Sequence, residues 1–194
     1  MTPSILVFAG SNRAGAFSGK LADAAVKELV RLEAHVTRIS LIDYPLPLMD
    51  EDLESEQGIP ESALTLARLF ALQDGLYIAT PEYNGSIPPL LKNIIDWVSR
   101  VSRDGERPLR PFAGKVAAIG SSSTGTFAGI RAIAHLRSIL AHVGIQVVSE
   151  QCSVPNAQTA FDDMDRFHDD RVRKNLESSI RSLIDMAAMR AGAR

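Results

Sequence analysis

Residues 74–100 read DGLYIATPEYNGSIPPLLKNIIDWVSR. The opening DGLYIATP (74–81) is a short, dense apolar run, the pattern of a strand buried on both faces. The closing part places Leu90, Leu91, Ile94, Ile95 and Val98 on one side of a helix that begins at Pro88 or Pro89 and reaches about Arg100. Prolines in a first helical turn cost nothing, because the N–H groups there have no intrahelical partner. Lys92 and Asp96 form an i,i+4 pair on the other side, worth about 0.2–0.5 kcal/mol. Between strand and helix lies PEYNGS, a polar turn with one aromatic. The segment is a β/α unit whose polar turn falls at the end of a core strand.

The same unit recurs along the chain. SILVFAG (4–10) ends in glycine and is followed by Leu21, Ala25, Leu29 and Leu32 at helical spacing, with Lys20, Asp23, Lys27, Glu28 and Arg31 opposite. AHVTRISL (34–41) is β-branched enough for a second strand. YPLPLMDEDLESEQGIP (44–60), rich in proline and acids, is expected as a long surface loop. A helix over 61–73 precedes strand three. KVAAIGS (115–121) is strand four, followed by a helix through Ile130, Ile133, Leu136, Leu140 and Val143. GIQVVSEQ (144–151) is strand five, and a last helix runs through Val172, Leu176, Ile180, Leu183 and Ala187. Strict β/α alternation with apolar strands predicts a three-layer α/β sandwich, a parallel sheet with helices on both faces. Five strands suit the order 2-1-3-4-5, the flavodoxin-like arrangement, in which ligands lie beyond the carboxyl ends of the strands.

Composition sets outer limits. The 194 residues suit a single domain over 1–194, and 45% hydrophobic with 23% charged residues is ordinary globular composition. A net charge of -2 offers no basic footprint for nucleic acid or an anionic membrane. The single cysteine, Cys152, has no internal disulfide partner, and no Cys/His spacing suggests zinc, so no metal site is expected. MTPSILVFAG is too short an apolar run for a signal peptide, and no segment approaches the ~20 apolar residues of a membrane span. A cytoplasmic protein without membrane contact is the expectation.

Three loops fall at the same rim. GSNRAGAFSGK (10–20) is rich in small residues, carries Ser11, Arg13 and Ser18, and opens a helix. Its backbone N–H groups and the positive end of the helix dipole favour an anion, naturally a phosphate. It has neither the Walker A spacing nor Gly-x-Gly-x-x-Gly, and a turn that only caps a helix is the competing reading. PEYNGS follows strand three. GSSSTGTFAG (120–129) follows strand four. Strands one, three and four are neighbours in the expected order, so the loops converge on one cleft, with a phosphate at the first and a flat group against the other two.

The runs G-S-N-R-A-G-A-F-S, P-E-Y-N-G-S-I-P-x-L-L-K-N-x-I-D-W-x-S-R, G-S-S-S-T-G-x-x-A-G and L-R-S-I-L-A-H-V-G resemble the NADPH-dependent FMN reductase family. That family includes bacterial quinone, chromate and azo-dye reductases of flavodoxin-like fold. The resemblance implies that Ser11, Arg13 and Ser18 bind the FMN phosphate. Pro81, Glu82, Tyr83, Asn84 and Gly85 would line the ribityl chain and isoalloxazine, largely through backbone groups. Ser122, Ser123, Thr124 and Gly125 would flank the ring from the other side. It also implies a homodimer or homotetramer, and NADPH or NADH as hydride donor. No catalytic side chain is needed, since flavin N5 takes the hydride and a quinone, azo compound, metal oxyanion or free flavin receives it at the same face. Two departures stand out. Ala16 falls where relatives often carry a hydroxyl, a loss of about 0.5–1.5 kcal/mol, and Phe127 and Ala128 interrupt the glycine-rich end of loop three.

The remaining candidates divide between structure and chemistry. Asp162, Asp163, Asp165, Asp169 and Asp170 precede a helix and are expected to complement its dipole. His35, His135, His142 and His168 have no paired nucleophile. Cys152 is expected as a core or near-surface thiol. Tyr83 borders the reacting face or packs at a subunit interface, and Trp97 packs in its helix or across an interface. Arg100, Arg103, Asp104, Glu106, Arg107 and Arg110 form a solvated loop or join subunits. Beside the reductase stand two alternatives: a flavodoxin-like electron carrier, disfavoured by the weak net charge, and a flavin-free scaffold or regulatory module, suggested by Ala16 and the sparse third loop.

Overall fold

The structure, a computed structural model, describes residues 2–192; residues 1, 193 and 194 of the expected domain lie outside the described residues. The main sheet holds β1 (Ser4–Ala9), β2 (His35–Arg38), β3 (Gly75–Pro81), β6 (Val116–Ser122) and β7 (Gln146–Val154). Their order is β2-β1-β3-β6-β7 with every pairing parallel, the 2-1-3-4-5 topology expected. Alternation along the strands divides the core in two. Leu6, Phe8, Ile78 and Ile119 face α3 (Glu61–Leu72), α4 (Pro89–Arg100) and α5 (Ile130–His142). Ile5, Val7, Tyr77 and Val116 face α1 (Phe17–Arg31) and α6 (Asp170–Ala191).

Four expectations need correction. The 44–60 stretch is not all loop: α2 (Glu51–Gln57) forms there because the Asp50 carboxylate accepts from the N–H groups of Asp52 and Leu53, and acids in its first turn suit the dipole. Ahead of α2 the chain is pinned to α4, where the buried indole of Trp97 donates to the Pro47 carbonyl at 2.8 Å. Asn93 joins that anchor, accepting from Met49 N–H and donating to Pro47 O. The charged stretch after α4 forms a two-stranded ribbon, β4 (Arg103–Asp104) with β5 (Arg107–Pro108). Asp104 there takes two hydrogen bonds from the Arg68 guanidinium at 2.8 and 2.7 Å, and Arg100 pairs with Glu54 at 2.7 Å. Strand five begins and ends later than expected, reaching Val154 and burying Val148, Cys152 and Val154. Ile130, the first residue of α5, is exposed, so the buried face is Ala132, Ile133, Leu136 and Leu140.

The amino-terminal end of the sheet is closed by a buried ammonium. Lys115, just before β6, donates to the carbonyls of Ala71 and Gln73 at the end of α3, satisfying acceptors that the helix terminus leaves open. At the opposite end Gly120 makes room for Tyr77: a Cβ there would collide with the buried Tyr77 hydroxyl and come within 2.9 Å of Leu21 Cδ2. Gly120→Ala is expected to lower stability by about 1–3 kcal/mol through overpacking, read as a shifted urea midpoint with an unchanged slope.

Candidate functional site

The three loops meet where β1, β3 and β6 end. In loop one, Ser11 Oγ accepts from Arg13 N–H at 3.3 Å, Ala16 N–H bonds Arg13 O, and Gly15 turns the chain at a φ of 67°. The sequence departure at Ala16 falls on the N-cap of α1, so no side chain caps that helix. Its first N–H groups lack the usual Ser, Thr, Asn or Asp acceptor. Arg13 lies over the Phe17 ring at 5.7 Å and has no carboxylate partner among the described residues.

Loop two is a tight hairpin. Tyr83 and Ser86 exchange both backbone hydrogen bonds at 2.9 and 3.0 Å, and Asn84 and Gly85 between them take φ values of 51° and 80°. Asn-Gly is the pair that tolerates two positive φ angles in succession. The turn leaves Tyr83 47% exposed at the rim. Loop three is tied to the segment after β7: Ser123 N–H donates to Val154 O at 3.1 Å, and Ala157 N–H to Ser123 O at 2.9 Å. Gly125 N–H donates to Ser123 Oγ, and Ser121 Oγ to the Ala128 carbonyl.

Together the loops enclose a cavity of about 170 Å³. Of the residues singled out from sequence, Ser11, Arg13, Ser18, Pro81, Glu82, Tyr83, Ser122, Ser123 and Thr124 line it; Asn84, Gly85 and Gly125 do not. Those three shape the turns that present the others. The two most buried hydroxyls of the lining, Ser18 at 1% and Ser122 at 3% exposure, have no hydrogen-bond partner for Oγ. Buried polar atoms are ordinarily satisfied, so two orphaned hydroxyls, one in the first turn of α1 and one at the end of β6, mark places for ligand acceptors. A second cavity of about 510 Å³ lies on the other side of loop one. Its Lys20 and Arg38 are already paired, with Asp165 at 2.7 Å and Asp23 at 3.0 Å.

Sequence reasoning missed Arg131 and gave the Glu82 side chain no role of its own. The Glu82 carboxylate, with 8% of its side chain exposed, turns toward α5. It accepts from Arg131 N–H at 3.1 Å, Ala132 N–H at 3.4 Å and Arg131 Nε at 2.8 Å, and pairs also with Nη2. It therefore caps α5, whose own N-cap is Gly129 with a left-handed backbone and no side-chain acceptor. Desolvation pushes the carboxyl upward. The hydrogen bonds and charge of Arg131 and the Ala132 N–H outweigh it, and Glu82 titrates below the ordinary glutamate value. Partners 49 residues apart leave no local signal in the sequence.

The acids before α6 divide their work. Asp169 accepts from Arg171 N–H at the helix start, as expected. Asp162, against expectation, closes its own turn by accepting from Met164 and Arg166 N–H, and Asp165 pairs with Lys20. Among the described residues no three His, Cys, Asp or Glu side chains could hold a metal ion. Cys152 is a core thiol, and burial pushes its pKa up to about 12, which keeps it protonated and poorly nucleophilic at neutral pH.

A parallel sheet in this order, with small-residue loops beyond the carboxyl ends of its strands, defines a flavodoxin-like fold. The profile of NADPH-dependent FMN reductases matches residues 3–159. The chain is 34% identical over 181 residues to an NAD(P)H-dependent FMN reductase of Pseudomonas aeruginosa, covering 92% of each. It is 37% identical over 146 residues to a quinone reductase of Escherichia coli, covering 75% of this chain and 73% of that protein. The fold superposes on a flavoenzyme NAD(P)H:(acceptor) oxidoreductase of Paracoccus denitrificans with a TM-score of 0.79 at 27% identity, covering 97% and 99% of the two chains. The chain belongs to the NADPH-dependent FMN reductase family.

Because the Glu82 pKa is depressed by folding, its contribution is complete above the ordinary glutamate range and is lost as pH falls through the lower folded value. Glu82→Gln is expected to destabilise the protein by about 1.5–3 kcal/mol at neutral pH. The gap from the native protein should shrink on acidification, measured by denaturant titration across the acid range.

Proposed function

We propose that this protein binds FMN across the three loops and uses NADPH or NADH to reduce quinones and related small acceptors, including azo compounds, metal oxyanions or free flavin. Family membership supports the reaction class. The observation that carries the site is the pair of buried, unpartnered hydroxyls of Ser18, in the first turn of α1, and Ser122, at the end of β6. Ser11, Arg13 and Ser18 hold the phosphate at the uncapped start of α1, where N–H groups and the unpaired guanidinium supply charge-assisted donors. Pro81, Glu82 and Tyr83, presented by the turn that Asn84 and Gly85 shape, form one wall for the ribityl chain and ring; Ser122, Ser123 and Thr124, presented by the turn at Gly125, form the other. FMN supplies the hydride-accepting centre, so no side chain need act as nucleophile. The protein binds, orients and leaves one side open. A slot of about 170 Å³ is narrower than the ~300–1,000 Å³ of ordinary cofactor sites. It suits a grip on part of the cofactor while donor and acceptor alternate at the free face.

The chain works as one domain and as a homodimer or homotetramer. A groove of about 630 Å³ between α4 and α5, where Ile95, Phe112, Ile139 and Val143 alternate with polar side chains such as Lys92, Asp96 and His142, is a surface that a second subunit would cover in such an assembly. Cytoplasmic placement is part of the same proposal; among the described residues no helix is long and apolar enough to cross a membrane.

The test is an absorption spectrum before and after FMN, followed by NADPH or NADH without oxygen. Flavin bands that bleach with the donor are expected. Bound flavin left oxidised by both donors would point to an electron carrier, and no uptake at micromolar FMN to a flavin-free scaffold. Ser18→Ala and Ser122→Ala are each expected to weaken FMN binding up to about tenfold. Neither should destabilise the ligand-free protein, since each removes a buried group that has no partner. Fluorescence titration and thermal melts check the two halves of that prediction.

A further inference from the structure

Loop two is gripped on both sides of its turn by one face of α5. Ahead of the turn Glu82 holds the Arg131 guanidinium and the first N–H groups of α5. Behind it, Ser86 Oγ meets His135 Nδ1 at 2.9 Å. Arg131 and His135 are four residues apart and so share a helical face. The tip between the two contacts lies beside the same side chain: a Cβ on Gly85 would be in ordinary contact with Arg131 Nε, at 3.7 Å. Loop three closes the arrangement, with the Phe127 ring set against the Arg131 guanidinium at 5.5 Å. Phe127 is 69% exposed and the Arg131 side chain 57%, so this ring contact lies at the surface, outside the core.

A helix cap alone would not need this. A serine or aspartate just before α5 would satisfy its first N–H groups locally, yet that position is Gly129. The cap comes instead from the opposite wall of the slot, from a residue flanked by the cavity-lining Pro81 and Tyr83. One ionic contact thus ties the wall after β3 to the helix that follows the wall after β6.

We infer that Arg131 and His135 are positioning residues of the reductase site, a two-point clamp on residues 82 and 86 that fixes the separation of loops two and three and so the hold on the flavin ring. Neither lines the slot; Arg131 acts through Glu82 and His135 through Ser86. The inference rests on the FMN reading and adds residues outside its contact set.

The experiment compares the native protein with Glu82→Gln, Arg131→Met, the double variant, Arg131→Lys and Ser86→Ala. Three quantities are read: FMN affinity, the visible circular dichroism of bound flavin, and hydrogen exchange at the Tyr83 and Ser86 amides without ligand. Glu82→Gln and Arg131→Met should each weaken FMN about tenfold and alter the flavin dichroism. The double variant should be no worse than the weaker single, because both remove one contact. Ser86→Ala should give a smaller loss. Faster exchange at the two hairpin amides should accompany each change. If Arg131→Met does not fold, Arg131→Lys, which keeps the charge but loses the two-pronged fork, should give an intermediate loss. Native affinity and dichroism in the folded variants, or losses that simply add in the double variant, would overturn the clamp. Absence of FMN binding by the native protein would overturn the FMN reading and the flavin-positioning role with it, while the exchange rates report separately whether the clamp holds the loop.

Discussion

The burial of the parallel sheet on both faces is the constraint on which the rest of the molecule depends. The three central strands, β1, β3 and β6, are covered by α1 and α6 on one side and by α3, α4 and α5 on the other and have no face left for polar chemistry. Only the two ends remain. At the amino-terminal end Lys115 fills the space with a charge bonded to helix carbonyls. The carboxyl-terminal end is where three loops can carry hydroxyls, an arginine and open N–H groups without disturbing the core. The division between a sealed end and a functional end follows from topology before any particular residue is considered.

Within the functional end, several groups lack the local partners that such groups normally have. The first N–H groups of α1 have no capping side chain, and two serine hydroxyls have no acceptor or donor nearby. A structure tuned for stability alone would have filled these places. Glu82 belongs to the opposite category. Its carboxylate is more fully bonded than any single role demands, and that surplus joins two loops that local interactions alone would leave independent.

The legibility of these features in the sequence follows the range of the interactions that make them. The strand order, the helices, the three rim loops and the placement of Ser11, Arg13 and Ser18 rest on periodicity and on residues close to their own strand ends, which the sequence displays directly, whereas Ser122, Ser123 and Thr124 were implied by the resemblance. The resemblance to the reductase family singled out Tyr83 and its neighbours as well. Asn84 and Gly85 were signalled as a turn, but their part is conformational rather than a lining one. What stayed hidden is long-range. The Glu82–Arg131 contact joins the turn after β3 to the first turn of α5 across a separation in sequence that carries no pattern, and Trp97 meets Pro47 across fifty positions. The short helix α2 was hidden for a different reason: its acidic composition reads as loop until Asp50 is recognised as a cap. Ile130 fits the apolar spacing of α5, yet it sits where the helix emerges from the loop, beyond the edge of the core.

Trp97 is the one tryptophan of the chain. Its ring is buried and its N–H is bonded to a carbonyl in the segment that crosses α4. Emission excited selectively in the indole band therefore comes from a single address. A probe placed by nature at that spot registers whether the 44–50 strap is seated on the helix, independently of the loops at the rim. A flavin bound in the same small protein would lie within range to quench that emission by resonance transfer. One optical channel could then follow strap docking in the empty protein and cofactor capture in the filled one, with no label attached.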